Sequence, residues 1–125
     1  MFYPASYSPN PCLGVLGWGL FCGANLTNAN PSQLYLCDDG TTFGSVVCPS
    51  GCHAAAVGEP DYCLGDDPCV SGVTGGEICG RNLSPNAEPR TLYTCENQQT
   101  VGTMFCDVDC IPQRPGTADV CLIEQ

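Results

Sequence analysis

The sequence contains no lysine, a single histidine and a single tryptophan, and its three arginines stand against 13 acidic residues. A formal net charge of -10 repels a phosphate backbone or an anionic membrane surface. Nucleic acid is therefore set aside, and a neutral or cationic partner is favoured. The same acids also serve to keep an apolar-looking surface soluble. Without lysine, and with His53 alone, the usual pairings of a nucleophile with a base have almost no members. Carboxylate pairs remain at Asp38/Asp39, Asp66/Asp67 and Asp107/Asp109, each in a short, wet, turn-like stretch that does not divide acid and base roles as glycosidase chemistry requires. The expectation is a protein that is not an enzyme and needs no cofactor.

Other absences narrow the class further. No apolar run approaches the length of a membrane span, so membrane insertion is not expected. No apolar leader opens the chain at Met1-Phe2-Tyr3-Pro4, and the expectation is a mature form with Met1 left by expression. There is no Cys-x-x-Cys pair and no EF-hand pattern; the short cysteine spacings are Cys48/Cys52 and Cys106/Cys110, and His53 faces Ile111 in the corresponding place. A duplicated zinc or calcium site is therefore not expected, and Asp38-Asp39-Gly40 is read as a solvated turn.

What the chain does have is cysteine. Six residues at Cys12, Cys22, Cys37, Cys48, Cys52 and Cys63 are followed by six more at Cys69, Cys79, Cys95, Cys106, Cys110 and Cys121. The steps are 10, 15, 11, 4, 11 and then 10, 16, 11, 4, 11. This spacing reads as a duplicated supersecondary unit. Residues between the cysteines agree with it: Pro11 with Pro68, Gly23 with Gly80, Asn28 with Asn86, Tyr35 with Tyr93, Thr42 with Thr100, Gly44 with Gly102, Gly58 with Gly116 and Asp61 with Asp119, the extra residue falling at Pro85. A repeat of roughly 55 residues is marginal on an apolar core alone, so the even cysteine count predicts three bridges inside each repeat with the same connectivity. Fifteen pairings of six cysteines are open, and spacing does not choose among them. Bridges of this density imply an oxidising, extracellular setting and a secreted protein.

The chain divides into a tail at residues 1–11, a first repeat at 12–63 and a second at 69–121. Leu64-Gly65-Asp66-Asp67-Pro68 is too short to be a free linker, so the repeats should pack as one rigid unit with an approximate two-fold relation. The expected fold class is small, disulfide-rich and mainly β, with two tandem pseudo-symmetric six-cysteine repeats, each carrying a β-hairpin. Gln33–Cys37 turns through Asp38-Asp39-Gly40 into Thr42–Val47, and Thr91–Cys95 turns through Glu96-Asn97-Gln98-Gln99 into Thr100–Phe105. A short strand before Cys22, one helical turn at Ala54-Ala55-Ala56 and otherwise loop-like segments complete the outline. Phe2, Tyr3 and Tyr7 give the tail apolar groups with which to dock on the body.

Candidate binding residues are those in which the repeats differ. Trp18, Phe43, His53 and Tyr62 have Gly75, Val101, Ile111 and Val120 as counterparts, and the tail aromatics could join them. An indole between two glycines offers a flat platform for a sugar face or a partner side chain, or else an anchor in the small core. Shared residues such as Tyr35/Tyr93 and Leu34/Leu92 are expected to serve the fold. Asn25-Leu26-Thr27 and Asn82-Leu83-Ser84 both fit the N-glycosylation acceptor pattern, with Pro85 hindering the second.

Leu34-Tyr35-x-Cys37-x-x-Gly40, then Cys48-Pro49-Ser50-Gly51-Cys52, then Asp61-Tyr62-Cys63 resembles the cysteine-rich repeats of small secreted fungal proteins. Tyr35, Cys37, Gly40, Cys48, Pro49 and Gly51 are also similar to peritrophin-type chitin-binding modules. The likeness covers about half of the first repeat; Asp107-Val108-Asp109 replaces Pro-Ser-Gly in the second, and the Cys22–Cys37 gap and the added Cys52 depart from peritrophin spacing. The resemblance implies a lectin-like or chitin-binding-like function toward an extracellular glycan. The rival expectation is a protein-directed ligand: an effector, a protease inhibitor, or a ligand of a protein receptor such as a taste receptor.

Overall fold

The computed structural model describes residues 9–56, 59–85 and 87–124. Phe2, Tyr3 and Tyr7 of the tail, and Gly58 and Asn86 among the matched positions, lie outside them. All twelve cysteines are bridged: Cys12–Cys37, Cys22–Cys52 and Cys48–Cys63 in the first half, and Cys69–Cys95, Cys79–Cys110 and Cys106–Cys121 in the second. The pairing order is first to third, second to fifth, fourth to sixth in both halves, and no bridge crosses between them.

Each half is built on a three-stranded antiparallel sheet. In the first half β1 (Trp18–Cys22), β2 (Gln33–Asp38) and β3 (Thr41–Val47) pair in that order, and β4 (Cys52–His53) pairs with β5 (Tyr62–Cys63). The second half repeats this with β6 (Gly76–Cys79), β7 (Thr91–Glu96) and β8 (Gln99–Phe105), followed by β9 (Asp109–Ile111) against β10 (Val120–Leu122). The β2–β3 turn places Asp39 and Gly40 at positive φ, and the β7–β8 turn does the same with Asn97 and Gln98, the geometry that twisted hairpins demand of a two-residue loop. Gln98 holds this unfavourable backbone while its side-chain amide donates to the carbonyls of Val47 and Val70, both at 2.9 Å. Each hairpin also shifts register at one place, between Leu36 and Cys37 and between Thr94 and Cys95, which leaves Phe43 and Val101 as the extra, bulged residues.

Local devices recur in pairs. Gly23 and Gly80 follow the second cysteine of each set because the Asn-rich loop passes directly over them: a Cβ would lie 1.9 Å from the Asn30 carbonyl oxygen at Gly23 and 2.0 Å from that of Glu88 at Gly80. The Tyr35 hydroxyl accepts the Asn30 N–H at 3.2 Å and the Tyr93 hydroxyl accepts the Glu88 N–H at 3.1 Å, tying down the same loops. Asn10 and Asp67, each two residues before a first cysteine, accept from the backbone N–H and hydroxyl of Thr42 and Thr100 respectively. Asp61 is buried, and its carboxylate accepts the N–H groups of Cys22 and Ala55, both at 2.8 Å. Asp119 takes the N–H groups of Cys79 and Gln113 at 2.8 and 2.7 Å. Charge-assisted bonds of this kind contribute about 1.5–3 kcal/mol each, a large increment for so small a core.

That core is a set of small clusters in which cystine sulfur replaces much of the usual aliphatic volume. Cys12, Ala29, Tyr35 and Cys37 form one in the first half, matched by Cys69, Leu83, Ala87 and Cys95 in the second. A second pair of clusters is not matched: Cys22, Leu34, Cys48 and Cys63 are joined by Val70 and Val73, whereas Cys79, Leu92, Cys106 and Cys110 gain only Cys121. The apolar packing between the halves is therefore one-sided, running from Val70 and Val73 onto the sheet of the first half, and does not follow the two-fold expected from the repeat. Two further expectations are corrected. Ala54, Ala55 and Ala56 form no helical turn; the Ala55 N–H instead joins this stretch to the Asp61 carboxylate. The stretches read as loops contain the β4–β5 and β9–β10 ladders, whose two or three pairs per ladder are too few to show a period.

Candidate ligand-binding cleft

The one-sided contact leaves part of the first sheet uncovered. Trp18 pairs with Asp38 and Leu20 with Leu36, while Leu36 faces Gly44 across β2–β3, so Trp18, Leu20, Leu36 and Gly44 fall on one face. Val73 closes on Gly44, where a Cβ would meet its Cγ1 at 3.2 Å. The Trp18 end stays open and forms one wall of a cleft of about 500 Å³ between the halves. The bulge aims Phe43 into the same cleft. The opposite wall comes from the second half, from Thr74 to Ile78 and from Gln113 to Asp119. There Gly116 holds a positive φ of 95° opposite the Phe43 ring, where a Cβ would lie in ordinary contact, 3.4 Å from Cζ.

Trp18 is 41% exposed and belongs to none of the buried clusters; the anchoring role is filled by cystines and Leu34 instead. Polar groups stand around the aromatic walls. Glu77 and Asn82 line the cleft, and Arg114 closes its rim by donating to Asp38 Oδ1 at 2.7 Å and to Asp39 Oδ2 at 2.5 Å. Hydrogen bonding to Asp38, with the charges of Asp38 and Asp39, holds the Arg114 pKa above its ordinary value. Its charge is thus matched within the protein, and the cleft retains an acidic balance.

His53 and Tyr62 sit elsewhere. They are paired across β4–β5, with ring centroids 4.9 Å apart and planes tilted by 37°, and they line a second hollow of about 420 Å³ with Arg81, Leu83 and Pro85. Pro60 and Asn82 line both hollows and form the ridge between them. The four residues singled out from sequence are therefore two pairs, Trp18 with Phe43 and His53 with Tyr62. Sequence reasoning missed the far wall, Glu77, Arg114 and Gly116, because it comes from the second half through packing; the Gly58/Gly116 match was the one available signal.

The two sequons differ in surroundings. Asn25 spends its amide on Asp61 Oδ2 at 2.8 Å and on the Ala55 carbonyl at 3.3 Å, whereas Asn82 lies on the ridge between the hollows. Among the described residues, no group of three or more His, Cys, Asp or Glu side chains is arranged to hold a metal ion, and no helix is long and apolar enough to cross a membrane. No protein-family model, no curated protein and no solved structure matches the chain.

Proposed function

We propose that this is a secreted, non-catalytic carbohydrate-binding protein that takes an extracellular glycan, of the chitin-oligosaccharide class, into the cleft between its halves. The observation that carries the reading is the exposed Trp18 indole facing the same cleft as the bulged Phe43 ring. Aromatic faces match the apolar C–H face of a sugar ring, and the Glu77 carboxylate and Asn82 amide at the edge suit its hydroxyl groups. A volume near 500 Å³ is within the range of small-molecule sites. The acidic balance favours neutral or amino sugars over sulfated or uronic ones. The six bridges fit an extracellular setting.

The protein-directed alternative has less support from geometry. A protease inhibitor presents an extended loop, but residues 13–17 fold back as tight turns, with the Leu13 and Val15 N–H groups bonded to Asn10 and Cys12 and with Gly14 and Gly17 at positive φ. Trp18 is the only tryptophan, so its emission reports directly on the cleft. Titration with chitin oligosaccharides should change Trp18 fluorescence and release heat, and Trp18→Ala with all bridges intact should lose the binding. Silence on a glycan array, with no retention on chitin, defeats the reading.

A further inference from the structure

Counted from the first cysteine of each set, Val70 and Val73 of the second half correspond to Leu13 and Leu16 of the first. Their environments are opposite. Val70 is 8% exposed and, with Val73, covers the cluster beneath the first sheet, whereas Leu13 is 78% and Leu16 92% exposed. The surface that the valines cover also has an uncovered equivalent. Val46 packs on that cluster, while its counterpart Met104 is 53% exposed. Gly44 is closed over by Val73, while a Cβ at Gly102 would meet nothing within 4 Å except the side chain of its own strand partner Thr94.

The chain thus carries one used contact of this kind and one unused set of its two faces: an apolar loop at one end and a matching sheet face at the other. We propose that a second copy of this chain fills the open face, with Leu13 and Leu16 of one molecule seated over Met104 and Gly102 of the next. Such a contact is head-to-tail, joining different surfaces of identical molecules, and it leaves a free loop and a free face on every product that does not close into a ring. Assembly short of ring closure is therefore open-ended. At the positions of Leu20 and Leu36 of the first sheet the second carries Glu77, at the edge that also lines the cleft, and Thr94, and each molecule has a net charge of -10. Contact between copies is accordingly weaker than the internal one, and strengthens with concentration and with screening salt.

The test is sedimentation velocity across a concentration series, in low and moderate salt, on the wild type and on Leu16→Asp and Met104→Asp, whose side chains are exposed. Thiol titration confirms that the bridges are intact. The wild type should show a rising average mass with concentration, and each variant alone should remain a monomer. An equimolar mixture of the two variants should restore association but stop at a dimer, because one retains the loop and the other the face. Persistent monomer in the wild type overturns the proposal, including the case in which it instead floats with phosphatidylcholine vesicles through Leu13 and Leu16. So does a dimer that either variant leaves intact, or a variant mixture that stays monomeric.

Discussion

The first and second halves bridge their cysteines in the same order and bulge their hairpins at the same place, yet only the first has part of its sheet covered by the other half. In the first half Val70 and Val73 turn a cystine-lined cluster into a small apolar core. In the second, the corresponding cluster consists of Leu92 and cysteines alone. The comparison separates what bridges do from what packing does, because the same covalent frame occurs in two different apolar settings.

The sharpest way to exploit that is to remove equivalent bridges. Cys48–Cys63 and Cys106–Cys121 both close a separation of 15 residues, so loop entropy assigns each about 3 kcal/mol. A Cys48→Ala/Cys63→Ala variant should lose more than Cys106→Ala/Cys121→Ala, since its cluster also seats Val70. Equal losses in denaturant unfolding would mean that packing under the first sheet adds little. Next in size, Gly23→Ala and Gly80→Ala should each cost about 2–3 kcal/mol through overpacking against backbone. The two losses should agree within about 0.5 kcal/mol if the loops are equivalent.

A smaller effect distinguishes Asn10 from Asp67. Burial raises the Asp67 pKa, but hydrogen bonds from the Thr100 hydroxyl, the Thr100 N–H and the Cys69 N–H outweigh it, and the net shift is downward. A carboxyl depressed on folding contributes stability above its unfolded pKa, about 3.9, and that contribution is lost as pH falls through the lower folded value. Asp67→Asn converts the second clamp to the chemistry of the first, so it should flatten the acid limb of the stability curve below about pH 4; an unchanged acid limb would assign that slope to other carboxylates. The smallest expected effect is that of Arg114→Gln. Loss of its pairs with Asp38 and Asp39 should leave Tm unchanged at physiological salt, and titration with chitin oligosaccharide tests whether the rim matters to the proposed site.

Much of the framework was legible because it is written in local chemistry. Cysteine spacing marked the two halves, Asp38-Asp39-Gly40 marked a hairpin turn, and β-prone runs marked β2, β3, β7 and β8. The connectivity was not legible, since spacing alone does not rank the pairings. Neither was the Asn10/Thr42 and Asp67/Thr100 clamp, which links residues over 30 apart in sequence, although Asx-Pro-Cys before each first cysteine was visible. At the candidate site Trp18 and Phe43 could be named from asymmetry between the repeats. Their separation from His53 and Tyr62 could not, because the Pro60–Asn82 ridge joins distant segments. That Trp18 is exposed followed only once cystines were seen to fill the interior.

The interleaved bridges also determine how the molecule meets a protease. Cys12–Cys37, Cys22–Cys52 and Cys48–Cys63 overlap in sequence, so any single cut between residues 12 and 63 leaves two fragments still covalently joined, and the same holds between 69 and 121. Only a cut between Cys63 and Cys69 parts the halves. That stretch contains no lysine or arginine, and all three arginines, Arg81, Arg90 and Arg114, fall inside the spans of the second half, the last followed by Pro115. Trypsin can nick this protein but cannot divide it, and a nicked molecule, heavier only by the water added at each cut, stays one covalent species until the bridges are reduced.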